Sequence, residues 1–419
     1  MGIPDAVGTK HLIVRRLGAL SKSRRTLAVV IVSAGFITIA GSASAVIVVN
    51  SSHGSQSTKK SAESSSVWTT PTNEMNSPVV AVPGGATSGS GNFNDISCFS
   101  STNCVAVGGD NNLEGLAALS TNGGSSWTES DVASGLPDLN SVDCPTVTTC
   151  VAVGVAGTSS STDGGSTWQA HVIPAPDTTL LSVSCATAST CVAVGVSPGN
   201  AGPYFGQLLL SRNGGTSWTI PTSPSNVDAL GSVDCPSVTF CVAVGNQILV
   251  SVDGGQSWSP RFVNGGTGVL RSVSCSSPST CIALGPNPDG VINASDGAFE
   301  IVSSDGGARW NPVSTPSGSS TLNAIQCFGG TDCLASGPGL TAASAATLFD
   351  SSNSGVSWSN QILPVGLAAI GSLSCPARTT CWFTGNEGSN AIVGELNNGA
   401  LESTTSVTSV VTTQNANAQ

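Results

Sequence analysis

From about residue 61 to residue 400 the chain writes the same short apolar and polar runs seven times. Each unit opens on an alternating stretch such as Ser141-Val142-Asp143-Cys144. A five-residue polar turn follows, and then an apolar run, Cys150-Val151-Ala152-Val153-Gly154. A third apolar run comes next, Leu208-Leu209-Leu210 in one copy, and the unit ends at a tryptophan such as Trp168 or Trp218. Runs this short, with period-two alternation and turn residues between them, read as β-strands. In the second run Cys, Ala and Gly share one face and the two valines the other, so small and large faces alternate. Four antiparallel strands in a unit of 40 to 52 residues make one propeller blade. The pattern predicts an all-β, seven-bladed β-propeller of four-stranded antiparallel blades, preceded by one N-terminal transmembrane helix.

The cysteines follow the same period. All 14 fall into Cys-x5-Cys pairs: Cys98/Cys104, Cys144/Cys150, Cys185/Cys191, Cys235/Cys241, Cys275/Cys281, Cys327/Cys333 and Cys375/Cys381. A five-residue turn folds the second strand back on the first and sets each pair across the hairpin, where a disulfide fits. A metal site is the alternative, yet no histidine lies near a pair and the pairs are spread evenly, so no metal is expected. Each short loop gains roughly 2 kcal/mol from its bridge in the chain-entropy model. Disulfides in turn imply an exported body.

A second landmark precedes each tryptophan. Its copies are Ser120–Trp127 (STNGGSSW), Ser161–Trp168 (STDGGSTW), Ser211–Trp218 (SRNGGTSW), Ser251–Trp258 (SVDGGQSW), Ser303–Trp310 (SSDGGARW) and Ser351–Trp358 (SSNSGVSW). Asp-Gly or Asn-Gly between strands is a hairpin signal, and the Asx side chain can accept N–H bonds just ahead of it. Asp163, Asp253 and Asp305 exchange with Asn122, Asn213 and Asn353 at one position. The exchange keeps an acceptor and discards a charge, which suits a turn and not a metal ligand or acid/base group.

Ser-x-Asp-Gly-Gly-x-Ser/Thr-Trp resembles the Asp-box, or bacterial neuraminidase repeat. With the Cys150–Gly154 and Cys241–Gly245 strands it is most similar to propellers of the photosystem II stability/assembly factor type, and more distantly to sialidase and sortilin-type propellers. In those families the box supports turns away from the active face, so the resemblance implies a fold and not a chemistry.

The seventh unit has its cysteines and an apolar run at 391–396 but no box tryptophan. The box spacing recurs instead at Ser61–Trp68 (SAESSSVW). A strand near Trp68 is therefore expected to close blade seven; a local hairpin at Asn397-Asn398-Gly399 returning through Ala400 to Thr404 is the alternative.

Every box tryptophan stands 17 residues before the next cysteine, whereas the span from second cysteine to tryptophan varies from 17 to 29. The variation lies between strands two and three. Disulfide turns and boxes thus share a regular face, and the variable loops share the opposite one, where function tends to sit. The binding candidates there are Asp110, Asn112, Glu114, Tyr204, Phe205, Arg271, Asp289, Asp296 and Glu387. Tyr204 with Phe205 suits an aromatic anchor.

Charge divides the chain. Residues 1–25 form a basic segment, and 26–49 carry no charge. As a helix those 24 residues reach roughly 36 Å, enough for a bilayer core of about 30 Å. The amino terminus is then inside and the propeller outside, in the cell membrane; the alternative is secretion after cleavage near Ala45, where Ala43-Ser44-Ala45 is a small-residue pattern. Residues 50–60 read as a linker, 61–402 as the propeller and 403–419 as a disordered tail. Residues 51–419 hold 23 acids and seven bases, which argues against a nucleic-acid partner.

Sialidase chemistry resembles a three-arginine clamp with a tyrosine nucleophile. Arg212 and Arg309 lie in boxes and Arg378 in a disulfide turn, which leaves Arg271, and at most Arg261, for the variable face. No clamp can be assembled. The reading is an exported, membrane-anchored, non-catalytic module without cofactor that binds a protein or glycan at the cell surface. The alternative is a glycoside hydrolase with an atypical site.

Overall fold

The computed structural model describes residues 82–84, 92–109, 114–130, 138–198, 205–263, 268–286, 298–313, 315, 321–338, 346–361, 363, 367–377, 379–387, 390–397 and 400–409. The segments 26–49 and 61–68 lie outside them, so the anchor expected over the first and the closing strand expected over the second do not fall on described residues. Among the described residues no helix is long and apolar enough to cross a membrane.

Seven sheets of antiparallel strands follow one another along the chain. Blade 2 shows the plan: Leu139–Asp143, Cys150–Gly154, Gly157–Ser161 and Gln169–His171, paired in that order. Blade 3 keeps three full strands, and its fourth is one bridge between Leu210 and Thr219. The second strands of blades 1, 2 and 4 are buried at every position, because sheets stack on both of their faces. Between blades 1 and 2, Val105 and Val107 meet Leu139, Val142 and Trp168; the seams between later blades repeat this core.

All seven expected bridges are present: Cys98–Cys104, Cys144–Cys150, Cys185–Cys191, Cys235–Cys241, Cys275–Cys281, Cys327–Cys333 and Cys375–Cys381. No described cysteine is free. Their depth differs from what a place on the turn face suggests. The second cysteines (Cys104, Cys150, Cys191, Cys241, Cys281, Cys333 and Cys381) are at most 1% exposed. Each stands at the start of a second strand and belongs to the apolar cluster of its seam. The physical reason is the stacking of a neighbouring sheet over that strand. These seven sulfurs are therefore core atoms as well as staples, and none of them can meet a ligand on the surface.

The boxes fold as predicted and lock onto the disulfide turns. In blade 2 the Ser161 hydroxyl accepts the Gly165 N–H (2.8 Å), Asp163 Oδ1 accepts the Thr167 N–H (2.9 Å), and Gly164 N–H reaches the Thr148 carbonyl of the disulfide turn (2.8 Å). That last bond recurs in blades 1, 3, 4 and 5, so turns and boxes do share one face. Five of the box tryptophans, Trp127, Trp168, Trp218, Trp258 and Trp310, are buried beneath their turns, and Trp358 is half-buried. Gly165 has φ +92°, and a Cβ there would stand 2.7 Å from Val105 of the preceding blade. The Asp/Asn exchange has a local reason. Asp163 Oδ2 accepts the Thr167 hydroxyl (2.7 Å), whereas Asn122 Nδ2 donates to the Ser126 hydroxyl (2.8 Å). A hydroxyl serves either role.

Blade 7 departs from the expectation. The place beside its third strand, Asn390–Asn397, is taken by Ala400–Ser409, the local return. Residues 403–409, expected in a disordered tail, are part of this strand. Val82–Gly84 then adds a fifth, parallel strand outside it. A tight hairpin closes a far shorter loop than a segment more than 300 residues away, and so costs less entropy. The missing box tryptophan is offset from within the blade. Where other second strands read Val-Ala, Ile-Ala or Leu-Ala, this one reads Trp382-Phe383, both buried. Trp382 packs edge-on against Trp127 of blade 1 (centroids 6.2 Å apart), and Phe383 fills the seam with blade 6.

Trp382→Ala is therefore expected to cost about 3–5 kcal/mol, as a buried tryptophan does. Urea denaturation checks this; a loss below about 1 kcal/mol contradicts the seam-filling role.

Candidate functional site

The innermost strand of each blade pairs on one side only. Its other edge faces the axis, so the ring encloses a channel, with a cavity of about 420 Å³ lined by these seven strands. Counting back from the first cysteine of each pair organises the lining. The second residue back is apolar and buried: Ile96, Val142, Val183, Val233, Val273, Ile325 and Leu373. The residues one and three back face the channel. One back stand Ser97, Asp143, Ser184, Asp234, Ser274, Gln326 and Ser374; three back stand Asp95, Ser141, Ser182, Ser232, Ser272, Ala324 and Ser372.

These oxygens cap the strand edge of the next blade. Cys144 N–H donates to Ser97 (3.0 Å), Cys185 N–H to Asp143 (2.7 Å) and Cys275 N–H to Asp234 (2.6 Å). One step along, Val142 N–H donates to Asp95 (2.9 Å), and Val183 and Val233 N–H to Ser141 and Ser182 (both 3.2 Å). The belt closes the circle: Cys98 N–H of blade 1 donates to Ser374 of blade 7 (2.9 Å), and the Ser372 hydroxyl donates to Asp95.

The channel mouth is set by a bulge. In blades 1 to 4 and 7 the residue four back from the cysteine is skipped in the ladder. A bulge re-aims side chains, and here it adds Asn94, Asn140, Leu181, Gly231 and Gly371 to the rim. Asn94 and Asn140 donate to the Leu139 and Leu180 carbonyls of the next blade (3.0 and 2.8 Å). Arg271 completes the rim, its Nη1 donating to Asn323 Oδ1 (2.8 Å).

The predicted binding residues are distributed unevenly. Arg271 is exposed at the mouth, and half-exposed Phe205 opens the third strand of blade 3 on the same face. Glu114 is exposed at the matching end of blade 1, and Glu387 ends the second strand of blade 7. Asp110, Asn112, Tyr204, Asp289 and Asp296 lie outside the described residues. Of the arginines set aside, Arg309 pairs with Asp305 of its own box (3.7 Å). The sequence alone does not single out the channel carboxylates. Their signal is the recurrent Ser/Asp before each first cysteine, which reads as ordinary strand text until the ring is closed.

Burial pushes the Asp143 carboxyl up to about 7 against the pull of the Cys185 N–H, and the charges of Asp234 and Asp95 add to the rise. Burial raises Asp234 to about 6, against the N–H groups of Cys275 and Cys235. Asp95 is also raised by burial, although Ser372 and the Val142 N–H hold it down. Among the described residues no cluster of His, Cys, Asp or Glu is arranged to hold a metal.

No family model matches the chain, and no curated protein matches it. Solved structures do. The GH74 enzyme of Niastella koreensis superposes with TM-score 0.54 at 16% identity, over 80% of this chain and 55% of that one. The GH74 xyloglucanase from Xanthomonas campestris gives 0.53 at 15%, over 79% and 55%; the chain thus spans about half the length of these two. YCF48 from Cyanidioschyzon merolae gives 0.52 at 14%, over 74% of this chain and 97% of that one. At these identities the likeness is one of fold.

The raised carboxylates give a pH prediction. Folded Asp143 and Asp234 hold protons that the unfolded chain releases near 3.8. Their contribution to stability is full below that value and is lost as pH rises through about 6 to 7. Asp143→Ser with Asp234→Ser keeps a capping oxygen and removes the charge. The variant is expected to gain stability relative to the parent between pH 4 and 7.5, read as the difference in urea midpoints. A difference independent of pH contradicts the raised values.

Proposed function

We propose that the protein is an exported, membrane-anchored, non-catalytic binding or scaffold module that engages a protein or glycan at the cell surface. The supporting observation is the inequality of the two faces. One face is stapled, in blades 1 to 5, by a disulfide turn bonded to a box glycine. The other carries the connections of unequal length, the channel mouth, Arg271 and Phe205. A rigid ring that varies on one side presents loops without spending order on them. We read the boxes as Asp-box repeats, on the strength of their turn geometry. The photosystem assembly-factor resemblance read from the sequence has a counterpart in the YCF48 fold.

Export and anchoring rest on the cysteines and on residues 1–49. Seven disulfides among 14 cysteines suit an oxidising compartment, and the uncharged segment 26–49 after a basic one supplies an anchor of sufficient length.

A glycoside hydrolase is the second reading, favoured by one observation: Asp143 and Asp234 are carboxyls with raised pKa in one channel. Each, however, gives an oxygen to the next blade's amide at a position where serine does the same elsewhere. A structural duty therefore accounts for them.

Capture of partners from the protein's own cell envelope, run beside a glycan array and a glycosidase screen, tests the reading. Arg271→Ala with Phe205→Ala is expected to reduce capture about tenfold or more, as loss of interface anchors does, at unchanged melting temperature. Turnover that Asp143→Asn or Asp234→Asn abolishes would overturn the non-catalytic reading.

A further inference from the structure

Among the described residues the belt of capped strand edges has one gap. Five seams, from blades 1–2 to blades 5–6, carry both bonds; at the seam from blade 7 to blade 1 Ser374 caps Cys98, and Asp95, which takes the Ser372 hydroxyl, accepts the Ile96 N–H (2.9 Å). Between blades 6 and 7 the two capping positions hold Ala324, which has no oxygen, and Gln326, whose Nε2 turns to the Cys327 carbonyl (3.3 Å). Leu373 and Cys375 are the counterparts of Val142 and Cys144, and their N–H groups receive no cap from blade 6. Both residues line the channel. Their strand, Leu367–Ala377, is the longest inner strand at 11 residues, and Gly371 leaves its mouth end bare.

Two such amides are two residues apart on one strand edge, about 6.6 Å. Carbonyls i and i+2 of a second extended chain have the same spacing, which is the geometry of strand addition. The opposite wall supplies a charge preference, for Asp143 and Asp234 line the same channel. A cavity of about 420 Å³ has room for a short segment, within the roughly 300–1,000 Å³ usual for ligand pockets.

We infer that the open edge between blades 6 and 7 is a strand-addition site inside the channel. It takes an extended peptide segment of a partner, with the peptide's carbonyls on the Leu373 and Cys375 N–H groups and a lysine or arginine directed to Asp143 and Asp234. The inference rests on the binding reading above and names the chemistry of the partner.

The test is a titration of the ¹⁵N-labelled full chain with a blocked octapeptide of alternating serine and lysine; the serine–glutamate octapeptide is the control. The Leu373 and Cys375 amide signals are expected to shift saturably with the lysine peptide and not with the glutamate one. Ala324→Ser with Gln326→Ser installs the hydroxyls that Ser272 and Ser274 carry at the preceding seam. It is expected to weaken binding about tenfold or more, the worth of one or two hydrogen bonds. Asp143→Asn with Asp234→Asn retains capping oxygens and is expected to weaken binding as well. If the double serine variant loses its melting transition, Ala324→Ser alone carries the same expectation.

Absence of a saturable shift at Leu373 and Cys375, equal binding by the capped variant, or equal binding of the glutamate peptide overturns the inference. Partner capture that survives in the capped variant also overturns it and leaves the broader binding reading standing. Loss of capture in every form, the parent included, removes that broader reading instead.

Discussion

A closed ring of sheets creates seven strand edges that face one another across a narrow channel, and each edge carries amides that need acceptors. An amide left without one costs about 1–3 kcal/mol. This chain meets the demand with short polar side chains one and three residues before every first cysteine but Cys327, mostly serine, three times aspartate. Among the described residues each blade except the sixth caps its successor, so the bonds act around the circle and the last blade must reach the first. Cys98 and Ser374 make that closing contact across most of the chain's length. The polarity of the channel, the raised carboxyls within it and the apolar seams behind it all follow from capping inward-facing edges.

The two faces of the ring obey different rules. On one, the disulfide fixes the first hairpin, the box fixes the second, and a box glycine N–H ties them together. Neither length nor composition has much freedom there. On the other, the two short connections between second and third strands that are described are held by backbone bonds, Val155 N–H to the Asp138 carbonyl (3.2 Å) and Asn246 N–H to the Ala229 carbonyl (3.0 Å), with no disulfide or box. Blade 6 adds a variation on the rule: its box indole, Trp358, donates to Glu300 of blade 5 (2.9 Å), and burial pushes that carboxyl up to about 8. A protonated glutamic acid there takes the part that Thr158 plays toward Trp218.

The period of the cysteines and boxes makes the blade number, the bridges and the regular face legible in the sequence, because each is a local turn whose residues announce their own geometry. The depth of the bridges is less legible. Burial of Cys104, Cys281 or Cys381 depends on the sheet stacked beside it, which no local pattern states. Blade 7 departs from its pattern for a physical reason. A box-like spacing at Ser61–Trp68 suggests distant closure, but the competing Asn397-Asn398-Gly399 turn is nearer, and Phe383 already packs in the seam with blade 6, where a box tryptophan of blade 7 would stand. The channel is illegible for a different reason. Ser141 or Asp143 in an ordinary sheet would be the solvated face of a strand. Only closure of the ring turns that face inward, raises the carboxyls and makes the substitutions Ala324 and Gln326 visible as a gap.

The most direct test of the account is amide hydrogen exchange of the inner-strand edges in the protein alone. Val142, Cys144, Val183, Cys185, Val273 and Cys275, each capped by the preceding blade, should exchange slowly and alike, while Leu373 and Cys375 should exchange much faster, although their strand is the longest. Uniform protection around all seven seams, or fast exchange at the capped positions, would contradict the claim that these side-chain caps hold the ring together.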